Sequence, residues 1–377
     1  MTDQHASGSS VRRIGILTGG GDCPGLNAVI RAVAKDALHA GFEVVGIEDA
    51  FRGLVENRLR PLGVADVSGI MTTGGTVLGS CNKTNPSRFV VGKNKDGTII
   101  TEDRTDACVE HLRTAGIDAL VVIGGDGTMP IASEFVRRGI NSIGVPKTID
   151  NDLWGTELTF GFSTAVQTAT EAFDRVRTTA ASHHRVIAVE VMGRNAGWLA
   201  LHAGIAGGAD VILLPEIAFE MESIYEQLRA RSERGKRYSV ICCAEGAQPK
   251  GGAAMVDRVD PTSPDPIRLG GVARWLTDKI EADTGLESRS VSLGHTQRGG
   301  TPIALDRVLA TRFGHHAMEL LKAGAQGRLV VMQEAKLSDI DLTAAEDKQR
   351  LVPLEHAMIE AARAVYTCFG DEPTRGV

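Results

Sequence analysis

Residues 13–47 read RIGILTGGGDCPGLNAVIRAVAKDALHAGFEVVGI, and the order of their parts decides the fold. An apolar run, RIGIL at 13–17, leads into a glycine turn, TGGGDCPG at 18–25. The stretch 27–40 then places Val29, Ile30, Val33 and Ala37 on one face at helical spacing. Gly41 stands just past it, where a left-handed residue commonly ends a helix, and a second apolar run, FEVVGI, follows. Strand, glycine turn, crossover helix, strand: this is a βαβ unit.

The same grammar recurs downstream. Strand-like runs fall at 119–123, 142–145, 186–191, 211–214, 239–243, 290–293 and 329–332, and helical patterns at 129–138, 163–180, 221–234, 269–282 and 305–323. Such alternation implies largely parallel sheets with helices on both faces. At ~150 residues per domain, 377 residues ask for more than one sheet. There is no low-complexity linker and no fixed-period repeat, so the irregular glycine-bearing stretches 150–161 and 294–302 are the expected crossings. The expected architecture is α/β, with two Rossmann-like α/β/α lobes and an active-site cleft between them, where strand ends meet. One lobe takes 12–160 with 297–347, the other 161–296 with 348–377, and 1–11 read as a disordered tail.

Composition excludes several classes of function. With 42% hydrophobic and 23% charged residues and a mean hydropathy of -0.04, the chain is ordinary globular protein. Its longest apolar runs, such as 211–214, fall far short of the ~18–20 residues of a membrane span. The start, MTDQHASGSSV, does not read as the basic and apolar regions of a signal peptide, so a cytoplasmic protein is the expectation. A formal charge of -6 and a pI near 6.0 leave no basic excess for nucleic-acid phosphates. Six scattered cysteines form no C-x2-C pair, which disfavours a zinc site. Glycine is the one deviation: 44 of 377 residues, well above the usual ~7%.

The glycines cluster where chemistry is expected. TGGG at 18–21 joins a strand to a helix, so its N–H groups can receive a phosphate, although a tight turn alone explains it equally well. It is neither a P-loop nor G-x-G-x-x-G. IGGDGT at 123–128 repeats the geometry and adds Asp126, which suits Mg2+ beside donor phosphates or, alternatively, a helix cap. PKTIDND at 146–152 brings Lys147, Thr148, Asp150 and Asp152 together after a buried strand. In an extended segment the two aspartates share a side, as proton removal from a hydroxyl would want, while an Asx-type turn with solvated charges is the alternative.

Five motifs in order, LTGGGDCPGLNA, IGGDGT, PKTIDND, VEVMGRNAG and LGHTQRGG, resemble the 6-phosphofructokinases, and the match runs from about Arg13 to the region of Met332. The form is similar to the actinobacterial-type branch, which includes ATP-dependent and pyrophosphate-dependent enzymes. The resemblance implies transfer of the γ-phosphoryl of MgATP to the 1-hydroxyl of fructose 6-phosphate, in glycolysis. It makes Asp150 the general base, Thr148 and Asp152 its supports, and Arg194 the cation on the transferring phosphoryl group. Asp126 becomes the Mg2+ ligand, with Gly20, Gly21, Asn82, Lys83, Gly125, Gly127 and Thr128 around the nucleotide. Met192, Gly193 and Glu245 meet the sugar. His295 and Arg298 meet its 6-phosphate, joined by Arg185 and Arg289 from a neighbouring subunit, which implies a homotetramer.

Two positions bear on the donor. Gly127 is the ATP-type residue, since an Asp there would fill and repel the place of the α-phosphate. Lys147 is the residue of pyrophosphate users. Gly127 is given more weight, because a blocked pocket excludes ATP whereas an added lysine only adds a cation. GSCNKT at 79–84 lacks the family's usual phosphate-bridging arginine, and Lys83 stands nearest to it. Arg31, Lys35, Arg177 and Lys236 match basic residues of the family's effector site, while another expected arginine falls near Val64. Residues from about Leu337 read as an amphipathic helix plus a polar tail, DEPTRGV. An NAD or lipid kinase would share GGDGT but none of TIDND, MGR or HTQRGG. A non-catalytic sugar-phosphate sensor would have lost Asp150 or Asp126, and both are present.

Overall fold

The opening unit forms as read. β1 (Arg13–Thr18) is buried at five of its six residues, as a strand covered on both faces must be. α1 (Leu26–His39) turns Val29, Ile30, Val33 and Ala37 fully into the core and ends before Gly41, whose φ is 84°. β2 (Glu43–Ile47) then pairs parallel with β1. The computed structural model describes residues 11–263 and 265–372.

The first part of the chain continues with α2 (Ala50–Val55), β3 (Leu59–Pro61), β4 (Phe89–Lys93), β5 (Ile99–Glu102), α3 (Thr105–Thr114), β6 (Ala119–Gly124) and α4 (Met129–Arg137). β7 (Asn141–Thr148), β8 (Phe160–Gly161), α5 (Phe162–His183), β9 (Val186–Val191), α6 (Trp198–Ala206) and β10 (Val211–Leu213) come next. They are followed by α7 (Met221–Glu233), β11 (Ser239–Ala244), β12 (Val256–Val259), β13 (Ile267–Leu269), α8 (Val272–Thr284) and β14 (Ser288–Ser292). The last elements are α9 (Ala304–Lys322), β15 (Arg328–Gln333), β16 (Lys336–Asp341) and α10 (Ala357–Ala364).

Two sheets organise these elements. One has eight strands in the order β16-β15-β7-β6-β1-β2-β3, with β8 beside β7, and only its edge pairs β15–β16 and β2–β3 are antiparallel. The other, β10-β11-β9-β14, is wholly parallel. α1 and α9 pack together on the first sheet, while α5, α6 and α8 pack against the second. The chain leaves the first sheet after β8, returns between β14 and α9, and crosses once more after β16. There the N–H of Val352 donates to Glu216 Oε1 at 2.9 Å and Cys368 bridges Val211. The six cysteines are free, and five are buried. No helix among the described residues is long and apolar enough to cross a membrane.

Two features differ from expectation. The stretch from Leu337 is not an amphipathic helix at its start: Lys336–Asp341 is an edge strand, and helix returns only at α10. Glu334 and Ala335, at φ 48° and 59°, make the two-residue turn that joins β15 to β16. Such a turn normally advertises itself with glycine or asparagine, and here it does not. Of the tail DEPTRGV, residues 373–377 lie outside the described residues, as do residues 1–10 of the expected N-terminal tail. The hairpins β4–β5 and β12–β13 were also not legible as strands.

Candidate active site

β1 and β6 are neighbours, so their two glycine turns leave the sheet side by side, tied by the Gly19 N–H to Ile123 O at 2.8 Å. Thr128 seats between them. A Cβ on Gly124 would stand 2.3 Å from its side chain and one on Gly19 2.7 Å, so both positions must be glycine for the turns to close together. Asp126 does not cap α4: its Oδ1 accepts from the Gly127 N–H at 2.8 Å, and Oδ2 accepts from Gln349 Nε2 at 3.1 Å. Around Gly127 the space is open, since an added Cβ would meet no described atom within 4 Å. Gly125 instead lies close against the Lys147 carbonyl.

Lys147, on β7, is 4% exposed and sends its ammonium beneath the first turn, where it donates to Gly21 O beside Gly20. Burial holds its pKa below the ordinary lysine value. Beyond Thr148 the strand ends. Thr148 Oγ1 accepts the Asp150 N–H at 2.9 Å, and Asn151, at φ 54°, turns the chain. The expected extended alternation of Asp150 and Asp152 therefore does not hold. Asn151 enforces the turn, accepting the Thr159 N–H at 2.9 Å and donating to Glu157 O at 3.1 Å.

The charge of Asp150 still reaches Asp152 despite the turn. Burial raises the pKa of both, and the charge of Asp150 raises that of Asp152 further. For Asp150 the guanidinium of Arg298 opposes burial most, with Arg194 acting in the same sense. Oδ1 of Asp150 and Oδ1 of Asp152 are buried and meet no hydrogen-bond partner among the described residues. A solvated turn does not leave carboxylate oxygens in that state.

The second lobe faces this loop with the residues that follow β9. The Met192 N–H donates to the fully buried Gln297 at 3.0 Å, Gly193 takes φ 134°, and Arg194 sits at φ 54°. The Arg194 N–H donates to Glu245 Oε1 at 3.1 Å, and its guanidinium pairs with Asp265. Glu245, just beyond β11, is pushed up to about 7 by burial first and the charge of Asp150 second. Met192, Glu245 and His295 line one pocket of about 360 Å³ with Glu190, Asp257 and Arg274. Arg298 lies elsewhere: its Nη1 donates to Asp22 O at 3.1 Å, against Gly21.

Other expected residues are placed apart. Lys83 pairs at 2.9 Å with Asp260 of the β12–β13 hairpin, with exposed Asn82 beside it. Arg185 pairs with Glu287 at 2.7 Å, and Arg289 with Glu287 and Glu281. Arg185 precedes β9 and Met192 follows it, so the length of the strand, roughly 20 Å, separates them. Lys236 borders a second cavity of about 560 Å³ with Arg231, Arg234 and Asp210, but neither Arg31 nor Lys35 lines it. Arg177 donates beside it, to the carbonyls of Gly207 and Gly208. Sequence reasoning missed Gln349, Arg350, Asp260 and Asp265, none of which stands in a glycine-bearing motif.

Glycine turns facing a carboxylate pair, on a two-lobed α/β fold, define a phosphotransferase. A family model for phosphofructokinase matches residues 13–321, and the chain belongs to the phosphofructokinase family. It is 49% identical over 366 residues to the ATP-dependent 6-phosphofructokinase 2 of Clostridium perfringens, covering 96% of this chain and 99% of that one. It is also 49% identical over 345 residues to the pyrophosphate–fructose 6-phosphate 1-phosphotransferase of Amycolatopsis methanolica, covering 91% and 97%. The structure of phosphofructokinase from Saccharomyces cerevisiae superposes with a TM-score of 0.73 at 30% identity, covering 94% of this chain and 46% of that one.

Proposed function

We propose that the protein is an ATP-dependent 6-phosphofructokinase, converting fructose 6-phosphate and ATP to fructose 1,6-bisphosphate and ADP. The observation that carries this reading is the Asp150–Asp152 pair, each with a buried Oδ1 that meets no hydrogen-bond partner among the described residues, beside the glycine turns. Asp150 takes the proton of the sugar 1-hydroxyl as that oxygen bonds to the γ-phosphorus and the bond to the ADP oxygen breaks. Thr148 and Asn151 fix the loop that carries it. Arg194, whose charge acts on Asp150, would offset charge on the transferring group, and the two glycine turns would supply N–H groups to the donor phosphates. The pocket of Met192, Glu245 and His295 suits the sugar phosphate.

Mg2+ fits the residues present, because the carboxylates of Asp126 and Asp152 approach one amide nitrogen from two sides and Asp152 keeps a buried oxygen free of hydrogen bonds among the described residues. Asp126 and Asp152 would hold it, and when bound it offsets the charge of the donor phosphates. Open space at Gly127 supports ATP as donor. Lys147, buried beneath the first turn, supports the second reading, pyrophosphate, as does the Amycolatopsis relative's name. Arg185 and Arg289, far from the Met192 end of their strands, fit a site shared between subunits of a homotetramer.

The deciding experiment supplies purified protein with fructose 6-phosphate, Mg2+ and either ATP or pyrophosphate as sole donor. Fructose 1,6-bisphosphate formed with ATP alone is the expected result. Product with pyrophosphate alone transfers the decision from Gly127 to Lys147, and no product with either refutes the activity.

A further inference from the structure

Gln349 lies outside every motif, yet its side-chain amide enters the carboxylate cluster. Nε2 donates to Asp126 Oδ2 at 3.1 Å and to Asp152 Oδ2 at 3.4 Å. The backbone beneath it is fixed. Gln349 forms an antiparallel bridge with Leu153, and the Arg350 N–H donates to Asp152 O at 2.7 Å. Arg350 then donates to Asn151 O at 3.0 Å and lies over the Trp198 ring at 3.8 Å, while Trp198 Nε1 donates back to Arg350 O at 2.8 Å. The amide is therefore held at the junction of the two lobes by a clamp on the Asp150–Asp152 loop.

One nitrogen set against two carboxylates that follow different strands stands where a divalent cation would be drawn, since both bring negative oxygen to that point. The amide differs from a cation in one respect that matters. It satisfies one acceptor on each carboxylate but cancels no charge. We propose that Gln349 is a positioning residue that acts as a placeholder for the divalent cation. It keeps Asp126 and Asp152 in register in the nucleotide-free enzyme and weakens their grip on free metal, so that the cation enters and leaves with the nucleotide phosphates. The inference rests on the metal role of Asp126 proposed above.

The test is Mn2+ binding to the full-length, nucleotide-free protein, read from the paramagnetic resonance of free Mn2+. Wild type is compared with Gln349→Leu, Gln349→Glu and Asp126→Asn, with thermal unfolding recorded for each. Without the competing donor, Gln349→Leu should bind Mn2+ about fivefold tighter or more, the scale of losing a charge-assisted hydrogen bond. Its kcat should fall while KM for fructose 6-phosphate holds, a split that general loosening would not give. Gln349→Glu keeps the side-chain size and should tighten Mn2+ binding further. Unchanged or weaker Mn2+ binding in both Gln349 variants overturns the placeholder. If Asp126→Asn abolishes binding in that case, the metal reading survives alone; if Asp126→Asn binds like wild type, the metal reading itself has failed and the placeholder with it.

Discussion

Asp150 is held by its own backbone bond to Thr148 and by the turn at Asn151, so a side chain lost there should leave the loop standing. Asp150→Ala is expected to lower kcat by about 10³-fold, within the usual reach of a positioned base, with KM for fructose 6-phosphate little changed. Steady-state kinetics check it, and an unaltered kcat removes the assignment. Glu245 gives a second handle, through pH. Its carboxyl rises from an ordinary 4.5 to about 7 on folding, through burial first, then Asp150, with Glu190 adding to the shift and Arg298 opposing it. Between those values the folded state binds the proton and the unfolded state does not, so stability falls as pH climbs from 4.5 through 7. Glu245→Gln should flatten the curve of Tm against pH in that window. Calorimetry across it would count against the shift if the slope stayed the same.

At the scale of elements, the loop that carries Asp150 and Asp152 is framed by chain that lies far from it in sequence. Gln349 and Arg350 pair with it at Leu153, Asp152 and Asn151, and the cation–π contact of Arg350 with Trp198 joins the loop to the other lobe. Arg350→Ala should cost about 2 kcal/mol, from one ring contact and one hydrogen bond, and lower Tm by a few degrees in a thermal melt. An unchanged Tm would mean that the clamp follows the loop and does not hold it. The same contrast explains what could be read from the sequence alone. Asp126 and Asp150 were legible because glycines and carboxylates gathered within a few residues after an apolar run. Gln349 was not, because its partners stand 223 and 197 positions away and no periodicity marks it. Asp260 and Asp265 sit in DPTSPD, which reads as loop, yet the hairpin that carries them reaches Lys83 and Arg194. The β15–β16 turn hid for a local reason: Glu334 and Ala335 adopt φ values that their side chains do not advertise.

At the scale of the whole molecule, the second sheet presents the residues proposed to meet the sugar at one end of its strands and two arginines at the other. Met192 and Gly193 follow β9, whereas Arg185 precedes it and Arg289 pairs with Ile187 near its start. Parallel strands make this separation rigid, so within one chain Arg185 stands about a strand's length from Met192 and Gly193. If Arg185 and Asp150 serve the same substrate, they come from different subunits, and loss of each can be repaired by the other chain. Asp150→Ala and Arg185→Ala homo-oligomers should each be nearly inactive. Mixed after reversible dissociation in equal amounts, they should regain activity at about a quarter of the sites, because half the sites carry Asp150 and half of those meet an intact Arg185 in a symmetric assembly. Two purification tags, one per variant, establish that mixed oligomers formed. Tagged mixtures that remain as inactive as the parents would place Arg185 outside the neighbouring site and return it to the ion pair with Glu287 that it makes within its own chain.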